Sequence, residues 1–444
     1  MPIDGGRFGY LFLSLSSFYT LERMSSWSVF KFGGASVKDA AALRNAVHVV
    51  QQYGPSPLLV IVSAMGKSTN ALESYLQWQE NGEHAKAEAG LSELKHFHQS
   101  MAEEVGIWTP DLAQVLDEEW RRISQVDPQW TYGRRYDATV SAGEIISSHL
   151  LTAALHAAGV PAQWLDARLL VKTNSDHRRA IVDWEATEAA ISARLTERPG
   201  MYVSQGFIAS GPAEQITTLG REGSDYSAAI FAYALHASEL TIWKDVPGVL
   251  SGDPKFFSDV VLLEEIPYRT AIELAFYGAS VIHPKTIQPL QGRGIVLHVR
   301  SFLQPEQAAS RIAEVALLRP EVPCWIRKAQ QVLITVGTRD LSFLSEGHLA
   351  EVYRIFSDLG LLVNLAQHAA VSSRFCVTAD RVTVPKAIEA LRANYRVDCV
   401  ENLTLFTVHR PDAQARGWLA QQGEVILDQR SGYVDQVVVK ETLA

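Results

Sequence analysis

Two glycine-bearing stretches of this chain carry the residue types that hold a phosphate. In Lys31-Phe32-Gly33-Gly34-Ala35-Ser36-Val37, paired glycines after an apolar run let backbone N–H groups close on phosphate oxygens, and Lys31 adds a cation there. The spacing is not that of a GxxxxGK[ST] loop, and glycine turns between a strand and a helix are common, so this stretch alone does not separate a phosphate site from a plain turn. Thr217-Thr218-Leu219-Gly220-Arg221-Glu222-Gly223-Ser224-Asp225 is more specific. It sets glycines and an arginine before a helix start, with Ser224 and Asp225 near the cap, where the helix N-terminus can face an anion. A purely structural cap needs neither the arginine nor both glycines. A third stretch, Trp243-Lys244-Asp245-Val246-Pro247-Gly248-Val249-Leu250-Ser251-Gly252-Asp253-Pro254-Lys255, follows an apolar run, at the strand end where open α/β sheets place ligands.

The elements that must position these residues are legible in outline. Residues 29–32 read as a strand entering the first glycine turn, and 37–50 have helical apolar spacing. Residues 58–62 are continuously aliphatic, the pattern of a parallel strand buried on both faces. Mostly helical patterning fills 71–130, and a long helix is expected over 143–158, stopped by Gly159-Val160-Pro161. Strands at 201–203 and 239–243 alternate with a helix at 224–236, so the chain reads as α/β through about residue 300. Beyond Arg311 the segments shorten. Strand 332–336, helix 348–359, strands 362–365 and 375–378, helix 384–394 and strands near 396–408 spell a small α+β module. A shorter run follows, with 418–419, 423–427 and 434–439, so 325–444 reads as a pair of such modules.

Bulk properties fit that plan. A chain of 444 residues exceeds one core and implies two or three domains. Its 47% hydrophobic and 20% charged residues are those of a globular protein. A net charge of -9 without a polybasic block argues against nucleic acid as a partner. Cys324, Cys376 and Cys399 lack CxxC spacing, so they support neither a disulfide framework nor a zinc site and are expected to be buried thiols in a reducing cytosol. The apolar run at 10–13 is too short and too poorly flanked for a signal peptide or a membrane span. Met24 makes a natural start before the first strand, so 1–24 is expected to be an extension, poorly ordered.

Taken in order, KFGGAS, SAMGKSTN, SAGE, TTLGREGSD, WKDVPGVLSGDPK and ELAFYGASVIHPKT resemble the aspartate kinases of the amino-acid kinase family, over about residues 29–440. The resemblance implies a catalytic domain at 25–312 with a parallel-rich sheet between helices, then tandem ACT-type regulatory modules at 325–444 that bind a feedback amino acid and pair into a homodimer. It implies a cytoplasmic enzyme that uses ATP, with Mg2+ arriving on the nucleotide, to phosphorylate the side-chain carboxylate of L-aspartate. No dedicated metal cage is expected, because magnesium keeps phosphate oxygens and water as ligands. An ionised carboxylate nucleophile needs no general base, so alignment and cations suffice. Carried over by motif, Lys31 faces the γ-phosphate and Asp225 orients it, while Gly33, Gly34 and Ser36 contact phosphate. Lys244, Asp245, Leu250 and Lys255 fall at nucleotide positions. Ser63 and Thr69 become donors to substrate carboxylate oxygens. Arg221 grips a carboxylate in a two-pronged bond, and Glu144 accepts from the α-ammonium.

The chain also departs from the family pattern. Ala35 and Lys244 stand where threonines are common, Lys255 replaces an arginine, Glu222 a glycine, and Ser280 a nucleotide-contacting lysine for which Lys285 is a candidate substitute. After Asn364-Leu365-Ala366-Gln367 the chain continues His368-Ala369-Ala370, which removes two effector-binding polar groups of the family; Asn364 and Gln367 remain as regulatory candidates. Weak or altered inhibition by lysine and threonine is therefore expected. A kinase of the same superfamily with another acceptor, and a catalytically silent amino-acid sensor, are the competing readings. With the chain ending soon after its last strand, no fused homoserine dehydrogenase is expected.

Overall fold

The computed structural model describes residues 27–195, 198–279, 282–340 and 342–440; the N-terminal extension expected at 1–24 and Ser280 lie outside them. Apolar runs form its centre. β1 (Ser28–Phe32) and β2 (Leu58–Val62) are buried at every position, as strands covered on both faces must be. Between them a 3-10 turn over Gly34–Val37 precedes α1 (Ala40–Tyr53), capped by Asp39, which accepts from the Ala42 N–H. The helix therefore starts slightly beyond the expected Val37. Next come α2 (Ser68–Glu80), α3 (His84–Val105), α4 (Pro110–Ser124) and α5 (Tyr132–Ala157). The last begins at Tyr132 rather than at Gly143. Its early turns bury small and polar residues, among them Asp137, Thr139 and Ser141, so they show no hydrophobic period.

Then follow β3 (Ala162–Leu165), α6 (Ala167–Leu170), α7 (Trp184–Leu195) and β4 (Met201–Gln205). The hairpin β5 (Ile208–Ser210) and β6 (Ile216–Thr218) leads to α8 (Gly223–Ala234) and β7 (Glu239–Lys244). β8 (Glu265–Pro267), α9 (Tyr268–Tyr277), α10 (Pro284–Arg293), β9 (Val296–Ser301) and β10 (Ser310–Ala313) complete this part. The main sheet has the order β3-β4-β2-β1-β7-β9-β10-β8 and is parallel except where β10 meets β9. Alternate residues of β1 feed opposite cores: Val29 packs with Ile61, Phe231 and Leu290, and Phe30 and Phe32 pack with Leu43, Val60 and Ile146. Each such fully buried side chain contributes about 1.5–3 kcal/mol. Phe32 at the carboxyl end of β1 pairs with Val62 on one side and Trp243 on the other. The chain winds to both sides of β1, so a crevice opens beyond its carboxyl end.

The C-terminal part comprises β11 (Cys324–Gly337), α11 (Glu346–Asp358), β12 (Val363–His368), β13 (Ser372–Thr378), α12 (Thr383–Arg392), β14 (Arg396–His409), α13 (Ala413–Leu419), β15 (Glu424–Arg430) and β16 (Val434–Lys440). They form one antiparallel sheet, ordered β12-β13-β11-β14-β16-β15. The long β11 and β14 break register between Lys328 and Leu333, so each lends one half to each end of the sheet. Fold class thus follows the expectation: a helix-covered α/β sheet followed by α+β modules. The two parts are tied together. The Trp325 N–H donates to the Ser251 carbonyl at 2.6 Å, and His409 Nε2 lies 3.0 Å from Glu273 Oε2.

Candidate active site

Adjacent strands deliver two lysines to one carboxylate. Lys31 on β1 and Lys244 at the end of β7 converge on Asp225 in the first turn of α8: Lys31 Nζ is 2.6 Å from Oδ1, and Lys244 Nζ is 3.4 Å from Oδ2. Asp225 is only 4% exposed. Burial pushes its carboxyl up, but the two ammonium charges outweigh burial and hold it below the usual carboxylate range. It remains an anion that fixes both cations at the crevice. A Cβ on Gly33 would lie 3.5 Å from Lys31 Nζ, so this ammonium sits against the glycine turn.

That turn is packed backbone to backbone. A Cβ on Gly34 would come within 2.8 Å of the Ala64 carbonyl oxygen and 3.0 Å of that of Gly66, a distance only glycine tolerates. The Gly66 N–H donates to the Gly34 carbonyl at 3.0 Å. Ser36 is buried, and its hydroxyl donates to the Trp243 carbonyl at 3.3 Å, which ties the turn to β7.

Beside the turn lies a cleft of ≈ 820 Å³, lined by Gly34, Ser63, Thr69, Glu144, Arg221 and Ser224 among others. The four residues expected around the amino-acid substrate therefore meet, although they come from the loop after β2, α2, α5 and the turn before α8. Glu144 is 3% exposed. Its Oε1 accepts from the Ala64 N–H at 3.4 Å, and its Oε2 is buried without a partner. Burial pushes this carboxyl up to about 8, against the Ala64 bond and the Lys31 charge, which both lower it. A buried carboxylate oxygen lacking a partner at a cleft wall is costly by itself and is suited to a cation from outside.

Tyr136, His177, Arg178 and Arg179 also line the cleft, and sequence reasoning did not find them. They are set by Asp137, fully buried on α5, which accepts from His177 Nδ1 at 2.8 Å, from Thr218 Oγ1 at 2.6 Å and from the Arg178 N–H. The run Asp176-His177-Arg178-Arg179 was visible, but its anchor lies far upstream in a helix turn without hydrophobic period. Arg178 (φ 69°) and Glu222 (φ 55°) both occupy the left-handed region, the kind of strain that concentrates at functional sites.

Of the three cysteines expected to be buried, Cys324 and Cys376 are, whereas Cys399 on β14 is exposed. Other expected residues lie elsewhere. Asp245 and Lys255 are exposed on the loop after β7, Leu250 is half-buried and bridges to Leu262, and none of the three lines the cleft. Lys285 is exposed on the first turn of α10. Asn364 is engaged inside the C-terminal sheet, accepting from Lys328 Nζ at 2.8 Å and donating to Gln331 Oε1 at 2.8 Å. Gln367 Nε2 makes a long contact, 3.5 Å, to the Asp428 carbonyl. Among the described residues no three His, Cys, Asp or Glu side chains are grouped to hold a metal, and no helix is long and apolar enough to cross a membrane.

The site thus offers cations, backbone N–H groups and the α8 N-terminus, opening onto a cleft walled by Ser63, Thr69, Glu144 and Arg221. It can stabilise a phosphoryl group moving onto an already ionised acceptor by position and charge. Comparison with known proteins agrees. Residues 26–301 match the model of the amino acid kinase family. Lysine-sensitive aspartokinase 3 of Escherichia coli is 31% identical over 394 residues, covering 86% of each chain. The structure of E. coli aspartokinase III in complex with aspartate and ADP superposes with a TM-score of 0.78 at 28% identity, over 93% of this chain and 96% of that one. Its complex with lysine and aspartate gives 0.76 at 28% identity, over 93% and 95%. The chain therefore belongs to the amino acid kinase family, in its aspartokinase branch.

Proposed function

We propose that the chain transfers the γ-phosphoryl group of ATP to the side-chain carboxylate of L-aspartate, giving 4-phospho-L-aspartate, a first step toward lysine, threonine and methionine. The observation that carries this reading is the buried Glu144 oxygen without a partner, set in a cleft beside the Lys31–Asp225–Lys244 cluster. The unpaired oxygen accepts the α-ammonium of the substrate. Arg221 takes a carboxylate in a forked bond, and Ser63 and Thr69 donate to carboxylate oxygens. The β-carboxylate oxygen attacks the γ-phosphorus, the bond to the ADP oxygen breaks, and no proton moves. Lys31, with Gly33, Gly34 and Ser36 shaping the turn beside it, offsets the charge on the transferring group. Lys244, Asp245, Leu250 and Lys255 belong to the nucleotide side.

Magnesium fits as an ion carried on the phosphates. Both oxygens of Asp225 face lysines, so that carboxylate orients Lys31 and is not available as a metal ligand. We assign the catalytic role to 25–312 and a regulatory, ACT-type role to 325–444, through which two chains pair and an amino acid acts as effector. The relative solved with lysine and aspartate supports an effector of that class. Because Asn364 is engaged within the sheet, lysine and threonine are expected to inhibit weakly; inhibition by either below millimolar concentration contradicts this. The enzyme is placed in the cytoplasm with its two substrates.

ADP release, measured with L-aspartate, L-glutamate and UMP as alternative acceptors, tests the reading. Release with L-aspartate alone supports it. Release with another acceptor reassigns the substrate, and nucleotide binding without ADP release from any acceptor makes the chain a sensor.

A further inference from the structure

The loop over residues 63–69 is held at successive peptide groups from different directions. The Ser63 carbonyl accepts from Ser147 Oγ at 2.6 Å, the Ala64 N–H donates to Glu144, and the Gly66 N–H donates to Gly34. The Met65 carbonyl accepts from Ser68 Oγ at 2.6 Å. Behind Ser68 stands His98 of α3, with no solvent exposure, its Nε2 3.3 Å from Ser68 Oγ. Phe97 and Trp120 flank the imidazole at 4.9 and 5.6 Å between ring centres.

The second ring nitrogen settles the proton inventory. Nδ1 lies 2.8 Å from the Leu94 carbonyl, which can only accept, so Nδ1 carries the hydrogen and Nε2 of the neutral ring is an acceptor. Burial keeps the ring neutral, lowering its pKa to about 4 against the Leu94 bond. The single Ser68 proton is directed at the Met65 carbonyl, 2.6 Å away, with Nε2 as a second, more distant acceptor at 3.3 Å, so the hydroxyl is held between the loop and α3. A histidine placed only to fill the core would not need to aim its lone pair at Ser68, the first residue of α2 and one of the side chains that bond the loop.

We infer that His98 is a positioning residue for phosphoryl transfer: through its contact with Ser68 it holds the first turn of α2 against α3, and with it Thr69 and the loop end that faces the acceptor. This rests on the assignment of Thr69 to the substrate. The phosphate turn has its own ties, Lys31 to Asp225 and Ser36 to Trp243. Loss of the His98 anchor therefore acts on the acceptor side first.

His98→Phe keeps a flat ring of similar volume and removes the acceptor, whereas His98→Gln restores one at the Nε2 position. In steady-state assays of the full chain, His98→Phe should raise KM for aspartate about tenfold and change KM for ATP less than about twofold, and His98→Gln should return the aspartate KM to within about threefold of wild type. Ser68→Ala, which removes the same link with the smallest change of volume, should reproduce the aspartate effect, and adding it to His98→Phe should give no further rise. Both aspartate KM values unchanged in His98→Phe and Ser68→Ala, or a rise that His98→Gln shares, overturns the inference. A wild-type chain without aspartate-dependent ADP release instead removes the kinase reading on which it stands.

Discussion

Aspartate binding must be coupled to a proton if Glu144 is the counter-charge for the α-ammonium. In the ligand-free cleft burial pushes the Glu144 carboxyl up to about 8. At pH 7 such a group is about 0.9 protonated. An ammonium arriving against its Oε2 favours the ionised form, so binding releases that proton. Apparent aspartate affinity should then strengthen about tenfold per unit from pH 6 toward 8 and level off above. Calorimetry at pH 7, in buffers of different ionisation enthalpy, should show about 0.9 proton released per aspartate bound. Glu144→Gln removes both effects and raises the aspartate KM by about 30- to 1000-fold, the loss of about 2–4 kcal/mol expected when one partner of a desolvated charge pair is neutralised.

The same shift predicts a stability profile. The folded-state pKa lies above the ordinary carboxyl value, so between the two the folded chain holds a proton that the unfolded chain has lost. Ligand-free wild type should thus lose stability as pH rises from about 4.5 to about 8, by a total on the order of 5 kcal/mol. Glu144→Gln should lack this loss, and its Tm should overtake wild type increasingly across that window. An aspartate KM that is flat from pH 6 to 8 in wild type, or unchanged in Glu144→Gln, would refute the reasoning.

Further outcomes follow from the rest of the site. Lys31→Ala should abolish turnover and cost about 3–5 kcal/mol in urea unfolding, because Asp225 keeps its buried charge with one lysine fewer; adding Asp225→Asn should recover part of the stability and none of the activity. Arg221→Lys keeps the charge but loses the fork, so KM for aspartate should rise about tenfold with KM for ATP unchanged. Gly34→Ala drives a methyl into two carbonyl oxygens and should lower kcat/KM more than about 100-fold, whereas Gly33→Ala, whose Cβ meets Lys31 Nζ at an ordinary distance, should be far milder.

The parts of the fold that the sequence disclosed are those where one physical signal dominates. A continuous aliphatic run marked β2, short apolar runs rich in aromatic and β-branched residues marked β1 and β7, and glycines marked the turns that follow strands. Helix α5 was misplaced at its start because its buried face there is Asp137, Thr139 and Ser141, and a helix that buries polar residues against a polar cleft shows no apolar stripe. That same feature hid the wall formed by His177, Arg178 and Arg179, since a charged loop reads as solvated until its buried anchor is known. The order of motifs located Lys31, Asp225, Glu144 and Arg221, but not that Lys244 would complete a three-member charge cluster or that one Glu144 oxygen would be left unpaired. Those depend on neighbouring strands and on burial, which no local pattern encodes.

The most direct test of the central claim is hydroxylamine trapping of an acyl phosphate from ATP and L-aspartate, with Lys31→Ala as control. Aspartyl hydroxamate that forms only with both substrates and only with Lys31 present is the predicted result. No hydroxamate from a folded, ligand-binding wild-type chain would contradict the account.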